Sequence, residues 1–278
     1  MKKIIIVTMT LILSITFCFS QEMIKIPGTN FHRYYQLINI PGKNYKMLKT
    51  EVTQELYEAV MGENPSHFEG ENLPVENVNI WDVIYFCNKL SKLKGLTPVY
   101  SVNGTTDFTK WDYIPHKDEY IDDKMNNYGA TYIYCNEYAN GYRLPTIEEW
   151  QYAAKGGDDF EYAGSNNLDE VGWYDNVEFP DDYAEYKKYK TASERNAHTK
   201  SVGRKKANGF GLYDMSGNVW EMCGKLFLFS GESTPIFNRY ISGGSYRDEK
   251  KLCKIHIYEA LYNERRSDVG FRIVRNAY

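Results

Sequence analysis

Short, sharply capped helical segments stand far apart in this chain, and the stretches between them are too rich in turn residues to carry long strands or helices. Thr53 is placed to cap a helix over 54–61, which Gly62 would end. Asn79 caps a second helix over 80–94, with Gly95 as its stop. On that helix Ile80, Val83, Ile84, Cys87 and Leu90 share one face, so Cys87 reads as a small buried apolar residue rather than a ligand. Thr146-Ile147-Glu148-Glu149 is a capping box, since Glu149 can reach back to the Thr146 backbone. Pro145 precedes it, Trp150, Ala153 and Ala154 face inward, and Gly156-Gly157 terminates it. Elsewhere, over 101–140 and 158–207, the chain is irregular, with a polar stretch over 181–206 that reads as solvated loop. Strand patterns are confined to brief runs near 130–135, 239–243 and 270–275. This is the pattern of an α+β domain with a few helices, short strands and many long loops, not of a βαβ succession. Neither a repeat nor a Pro- or Ser-rich linker divides it, so 21–278 is expected to be a single domain.

Residues 1–20 read as a signal peptide. Lys2 and Lys3 give a basic start, 4–19 is an apolar run, and Cys18 and Ser20 are small residues ahead of Gln21. The run is short for a membrane anchor and no basic stop-transfer cluster follows. An exported protein is therefore expected, periplasmic, secreted or surface-associated, with no membrane span after cleavage. Lipidation at Cys18 is the alternative, and Phe17 is a poor residue ahead of a lipidated cysteine.

Net charge of −4 gives no reason to expect a nucleic-acid partner, because phosphate binding needs a basic surface. The 25 tyrosines outnumber the 13 phenylalanines and 5 tryptophans together. Tyrosine buries a ring while its hydroxyl stays hydrated, which suits a loop-rich fold or a recognition face, and composition does not separate the two. With Cys18 in the leader, Cys87, Cys135, Cys223 and Cys253 remain. An even number in an exported protein is compatible with disulfides, whose pairing the sequence leaves open.

Several blocks, in order, carry a resemblance. They are Glu51-Val52-Thr53-Gln54 through Met61-Gly62-Glu63-Asn64-Pro65-Ser66, Leu73-Pro74-Val75-Glu76-Asn77-Val78, Phe86-Cys87-Asn88-Lys89-Leu90-Ser91 and Gly141-Tyr142-Arg143-Leu144-Pro145-Thr146. Then come Asn208-Gly209-Phe210-Gly211-Leu212-Tyr213-Asp214-Met215-Ser216-Gly217-Asn218-Val219-Trp220-Glu221, Gly243-Gly244-Ser245 and Gly270-Phe271-Arg272. Together they resemble the formylglycine-generating (sulfatase-modifying factor) family, over nearly all of 21–278. The resemblance implies a variant of the C-type lectin fold. Arg143, Glu221 and Arg272 are charges in apolar or glycine-bounded contexts, and the reading of Arg143 and Arg272 is a supporting polar network. Gly243-Gly244 would permit positive φ or a close backbone approach, as a tight groove floor requires.

The resemblance also implies a calcium site at Asp214, Gly217, Val219 and Glu221, a donor set of carboxylates and carbonyls that suits this ion. The family's other calcium site is not recognisable around Trp173 and Tyr174. In formylglycine-generating enzymes, two cysteines after the Gly-Gly-Ser turn hold copper(I), and oxygen converts a substrate cysteine to formylglycine. By resemblance, Cys253 stands at the second of these positions and Asp248 at the first. A carboxylate is a hard ligand mismatched to copper(I), so copper is doubtful here, although Cys223 could approach in space. Ser245 and Trp220 are retained beside the site. The five histidines, His32, His67, His116, His198 and His256, are scattered, without a helical pair.

Two functions follow. One is a non-oxidase binding protein taking a peptide, protein or glycan in a groove near the C-terminal loops, lined by Tyr246, Arg247, Asp248, Tyr258, Tyr262, Arg265 and Arg266. The alternative is a copper-dependent oxidase acting on a sulfatase cysteine, with Cys253, Ser245 and Trp220 as its catalytic residues. Fold does not carry function, and the binding reading needs no missing soft ligand, so it is favoured.

Overall fold

The chain forms the expected helices at the expected caps. The computed structural model describes residues 21–28, 44–111, 113–117, 133–136, 138–175, 197–227, 236–261 and 264–277. The leader over 1–20, Tyr262 and much of the polar stretch lie outside the described residues. Helix α1 (Gln54–Met61) starts where the Thr53 hydroxyl accepts from the Leu56 amide and stops at Gly62, in left-handed conformation with φ 93°. Helix α2 (Ile80–Leu93) is capped by Asn79, and Asp82 returns the bond to the Asn79 amide. This box was not foreseen. Helix α3 (Ile147–Lys155) has the Thr146–Glu149 box and ends at Gly156. A single further turn, α4 (Leu168–Val171), completes the helices described.

Strands are short and gathered in small sheets. β1 (Met23–Ile26), β2 (Tyr45–Leu48) and β9 (Val274–Asn276) form an antiparallel sheet ordered β1-β2-β9, bringing the two ends of the domain together. β3 (Tyr100–Val102) pairs with β4 (Ile133–Cys135). The remaining sheet is ordered β7-β6-β5-β8, from β5 (Trp220–Phe227), β6 (Ile236–Ser242), β7 (Tyr258–Ala260) and β8 (Val269–Gly270). The expected run near 239–243 falls on β6, whereas the one expected over 270–275 is broken at 271–273 into β8 and β9, which belong to different sheets; β1, β2, β3 and β5 carry too few residues or too little alternation to be seen in advance. The architecture is α+β, with few helices and long loops.

The main core packs α1 and α2 against β8 and the start of β5. Tyr57, Phe86 and Phe271 lie fully buried there, with Tyr57 stacked on Phe86 at 5.2 Å. Cys87 is part of this core, as its helix face predicted. A second cluster sets Trp150, Ala153 and Ala154 of α3 against Leu212, Met215 and Cys223. Among the described residues no helix is long and apolar enough to cross a membrane.

Candidate functional site

The Gly243-Gly244-Ser245 turn leaves β6 and lies against the block from Asp214 to Glu221, where the Gly217 amide donates to the Gly243 carbonyl at 2.7 Å. Both glycines are left-handed, with φ 99° and 73°. A Cβ on Gly244 would stand 2.7 Å from Cys253 Sγ and 2.9 Å from its Cα, so the backbone approach the sequence permits is used. Ser245 is fully buried.

Beneath this floor lies a buried ionic network. Arg272 Nε donates to Glu221 Oε2 at 2.6 Å and Nη2 to Oε1 at 2.6 Å, while the Trp150 indole donates to Oε2 at 2.7 Å. Arg272 also reaches the carbonyls of Leu48 and Tyr213. Arg143 forms a second bidentate pair, with Glu149, at 2.6 and 2.7 Å. Both arginines are supporting charges, as expected. Two further carboxylates share the Arg272 neighbourhood. Asp214 accepts from the Gly203 amide through Oδ2, and its Oδ1 is buried without a hydrogen-bond partner. Glu51 accepts from Asn218 through Oε1, and its Oε2 likewise lacks one. Burial, then the charge of Asp214, pushes the Glu51 carboxyl well up; burial raises Asp214 to about 6.

These observations bear on calcium. Glu221 is matched by Arg272 and the Glu51 carboxyl is held toward its protonated form, which leaves Asp214, with Oδ1 lacking a hydrogen-bond partner, as the carboxylate over. Glu221, however, already accepts three hydrogen bonds, and among the described residues no three acidic, histidine or cysteine side chains converge as metal ligands. Of the four expected ligands, Asp214 alone shows an unpartnered side-chain oxygen, and Glu221 is engaged by Arg272 and Trp150.

Asp248 and Cys253 are brought together. Cys253 ends a short 3₁₀ turn (Lys250–Cys253) and is fully buried. Burial, then the adjacent Asp248 carboxylate, pushes its thiol up, so the protonated form is held. Asp248 Oδ2 accepts from the Ser245 hydroxyl at 2.5 Å and the Ser245 amide at 2.9 Å. Burial raises the Asp248 carboxyl, and the Ser245 bond partly offsets it. Cys223 lies in the cluster of Trp150, its Sγ 3.7 Å from the Glu221 carbonyl, whereas Cys253 packs with Tyr162, Leu168 and Val171. All four cysteines are free thiols in this structure.

The expected groove residues divide. Tyr246 is nearly buried, edge-on to Phe68 at 5.6 Å, with its hydroxyl 3.5 Å from Ser267. Arg247 and Arg266 converge on Asp268: Arg247 Nε is 2.9 Å from Oδ2, and Arg266 donates to Oδ1 at 3.0 Å and Oδ2 at 2.8 Å. Trp220 sits fully buried behind them, its amide donating to the Asp268 carbonyl at 2.8 Å. Arg265 turns the other way and pairs with buried Asp82. Tyr258 stands exposed on edge strand β7, its ring against Tyr240.

Sequence reasoning missed Asp268, Phe68 and Glu76. Asp268 had a signal, an acid two residues beyond Arg266. Phe68 has its neighbour His67 beside its ring, and His198 and Tyr246 join it from two distant stretches. Glu76 is fully buried; its Oε1 accepts from the Phe68 amide and its Oε2 has no hydrogen-bond partner. Burial raises its carboxyl to about 7.

A family model described as the sulfatase-modifying factor enzyme 1-like domain matches residues 20–277. A Paenibacillus barcinonensis protein named chaperone protein LppX is 37% identical over 269 residues, spanning 92% of this chain and 90% of that protein. The formylglycine-generating enzyme of Mycobacterium tuberculosis is 33% identical over 205 residues, 59% of this chain and 65% of that protein. Among solved structures, Treponema denticola variable protein 1 matches with a TM-score of 0.67 and 33% identity, over 92% of this chain and 95% of that one.

Proposed function

The chain belongs to the sulfatase-modifying factor family, and from that premise we propose that it is an exported, non-oxidase binding protein built on a C-type-lectin-like variant of the fold. Its groove is formed by Tyr246, Arg247, Asp248 and Arg266 above the Gly-Gly-Ser floor, and the ligand is a peptide, protein or glycan. One observation carries the reading. Asp248, at the position where the resemblance puts a copper-binding cysteine, is held by both Ser245 donors beside a thiol kept protonated. A soft ion that favours two thiolates is offered one thiol and one carboxylate. The similarity to a variable protein, spread over nearly the whole chain, accords with a recognition role. Calcium forms part of the proposal. It would be held by Asp214 with the Gly217 and Val219 carbonyls and Glu221, and would offset the surplus buried charge.

The competing reading, an oxidase acting on a sulfatase cysteine, is favoured by the retained Cys253 and by the named enzymes among the relatives. The test is to load the purified chain with copper(I) under reducing conditions and offer a peptide containing Cys-x-Pro-x-Arg. We expect neither stoichiometric copper nor oxidised peptide. Both appearing together would overturn the binding-only reading.

A further inference from the structure

Away from the floor, a polar cluster centred on Asp82 joins α1, α2, the segment 113–117 and the C-terminal loop 264–268. Asp82 is fully buried in the first turn of α2. Its Oδ2 accepts from the Asn79 amide at 3.0 Å, and its Oδ1 accepts from the Tyr113 hydroxyl at 2.7 Å and the His116 amide at 3.2 Å. Arg265 pairs with the same carboxylate, and its Nη2 lies 3.5 Å from Oδ1 and 3.3 Å from the Tyr113 hydroxyl. The His116 ring faces this pair. Its Nδ1 is 3.7 Å from Asp82 Oδ1, and its Nε2 is 3.1 Å from the Tyr57 hydroxyl and 3.9 Å from Glu63 Oε1.

One buried carboxylate thus faces a permanent cation and a ring whose charge changes within the physiological range. We propose that His116 is a pH-operated competitor for Asp82, and that its protonation loosens the loop 264–268, which carries Arg266 into the groove. With the imidazole neutral, Asp82 and Arg265 balance. A second positive charge within 4 Å of the same oxygen opposes the guanidinium in a poorly solvated setting. Glu63 offsets little of this, because its side chain is 59% exposed and therefore screened. The hydroxyls of Tyr57 and Tyr113 add no charge. Which cation yields follows from anchoring. His116 is tied to Asp82 by its own amide, while Arg265 reaches Asp82 through its side chain from a loop whose other ties lie at 266–268: the Arg266 carbonyl, the Arg266–Asp268 pair and the Asp268 carbonyl.

The consequence for ligand binding rests on the groove reading above, but the device itself is measured without a ligand. Hydrogen exchange of the Asn77 and Val269 amides, which donate to the Arg266 carbonyl in the loop, is followed in the full chain at pH 5.0 and 7.5, corrected for intrinsic rates. Protection is expected to fall roughly tenfold at the lower pH. His116→Asn keeps a residue type that tolerates the φ of 62° at this position. It should abolish the change. Arg265→Gln should leave these amides weakly protected at both pH values. Equal exchange of the wild type at the two pH values would overturn the proposal, and so would a wild-type pH response retained in either variant. Failure to find a groove ligand would sink the binding reading and leave this result standing.

Discussion

Two buried carboxylates, Glu221 and Asp268, are each clasped by arginine, and the difference between them separates scaffold from surface. Glu221 holds Arg272, and both side chains are sealed from solvent. Asp268 is as deeply buried, yet its partners Arg247 and Arg266 keep 41% and 24% of their side chains exposed. In the first pair both charges are spent inside the molecule. In the second, one anion serves two cations, and the surplus positive charge stays part-exposed to solvent. A guanidinium with donors left over and solvent on one side is suited to meeting a ligand; a fully satisfied one is not.

That contrast predicts an ordered set of effects. Arg272→Ala leaves Glu221 buried without its counter-charge and should cost on the order of 3–5 kcal/mol in urea unfolding. A loss under about 1 kcal/mol would erase the distinction from Asp268, since that is the value of an exposed pair. Gly244→Ala comes next. It forces a Cβ into a left-handed position against Cys253 and should cost about 1–3 kcal/mol by the same measurement. A neutral result would mean that the floor can shift and does not constrain the Asp248 turn.

A smaller effect is expected from Glu76, below the rim. Burial pushes its folded carboxyl up to about 7, above the ordinary carboxylate range. A group that binds its proton more tightly when folded stabilises below the unfolded pKa, and that contribution is lost as pH rises through the folded value. Stability should therefore decline between pH 4.5 and about 7, and Glu76→Gln should flatten this part of the profile in thermal melts. A variant with the wild-type slope would move the titration elsewhere. The smallest effect on stability belongs to Arg247→Ala, at under about 1 kcal/mol, because its guanidinium is part-exposed and Arg266 still pairs with Asp268. The same variant should weaken ligand capture by roughly tenfold or more if the rim is the recognition face. Unchanged capture by Arg247→Ala would return the rim to ordinary surface.

The helices were legible because caps and stops act locally. Thr53, Asn79, Thr146 and Glu149 bond backbone groups within a few residues, and Gly62 and Gly156 adopt the left-handed turn as expected. The small sheets were less so. β1 and β2 are four-residue strands, and β2 also pairs with β9 at the other end of the chain, which nothing local encodes. The candidate site divides along the same line. Asp248 and Cys253 were named from their places after Ser245, and they do meet. Arg265 and Arg266 are neighbours of the same type, and no rule of sequence could send one to Asp82 and the other to Asp268.

By itself, then, the sequence determined the family, the α+β character and the limits of the three longer helices. Each of these rests on residue identity or on contacts within a turn of chain. Only the tertiary structure decided that Glu221 is spent on Arg272, that Phe68 gathers His198 and Tyr246, and that His116 and Arg265 share one carboxylate. Those are long-range choices. Burial makes them, because a charge removed from water takes whichever partner the packed chain brings within reach.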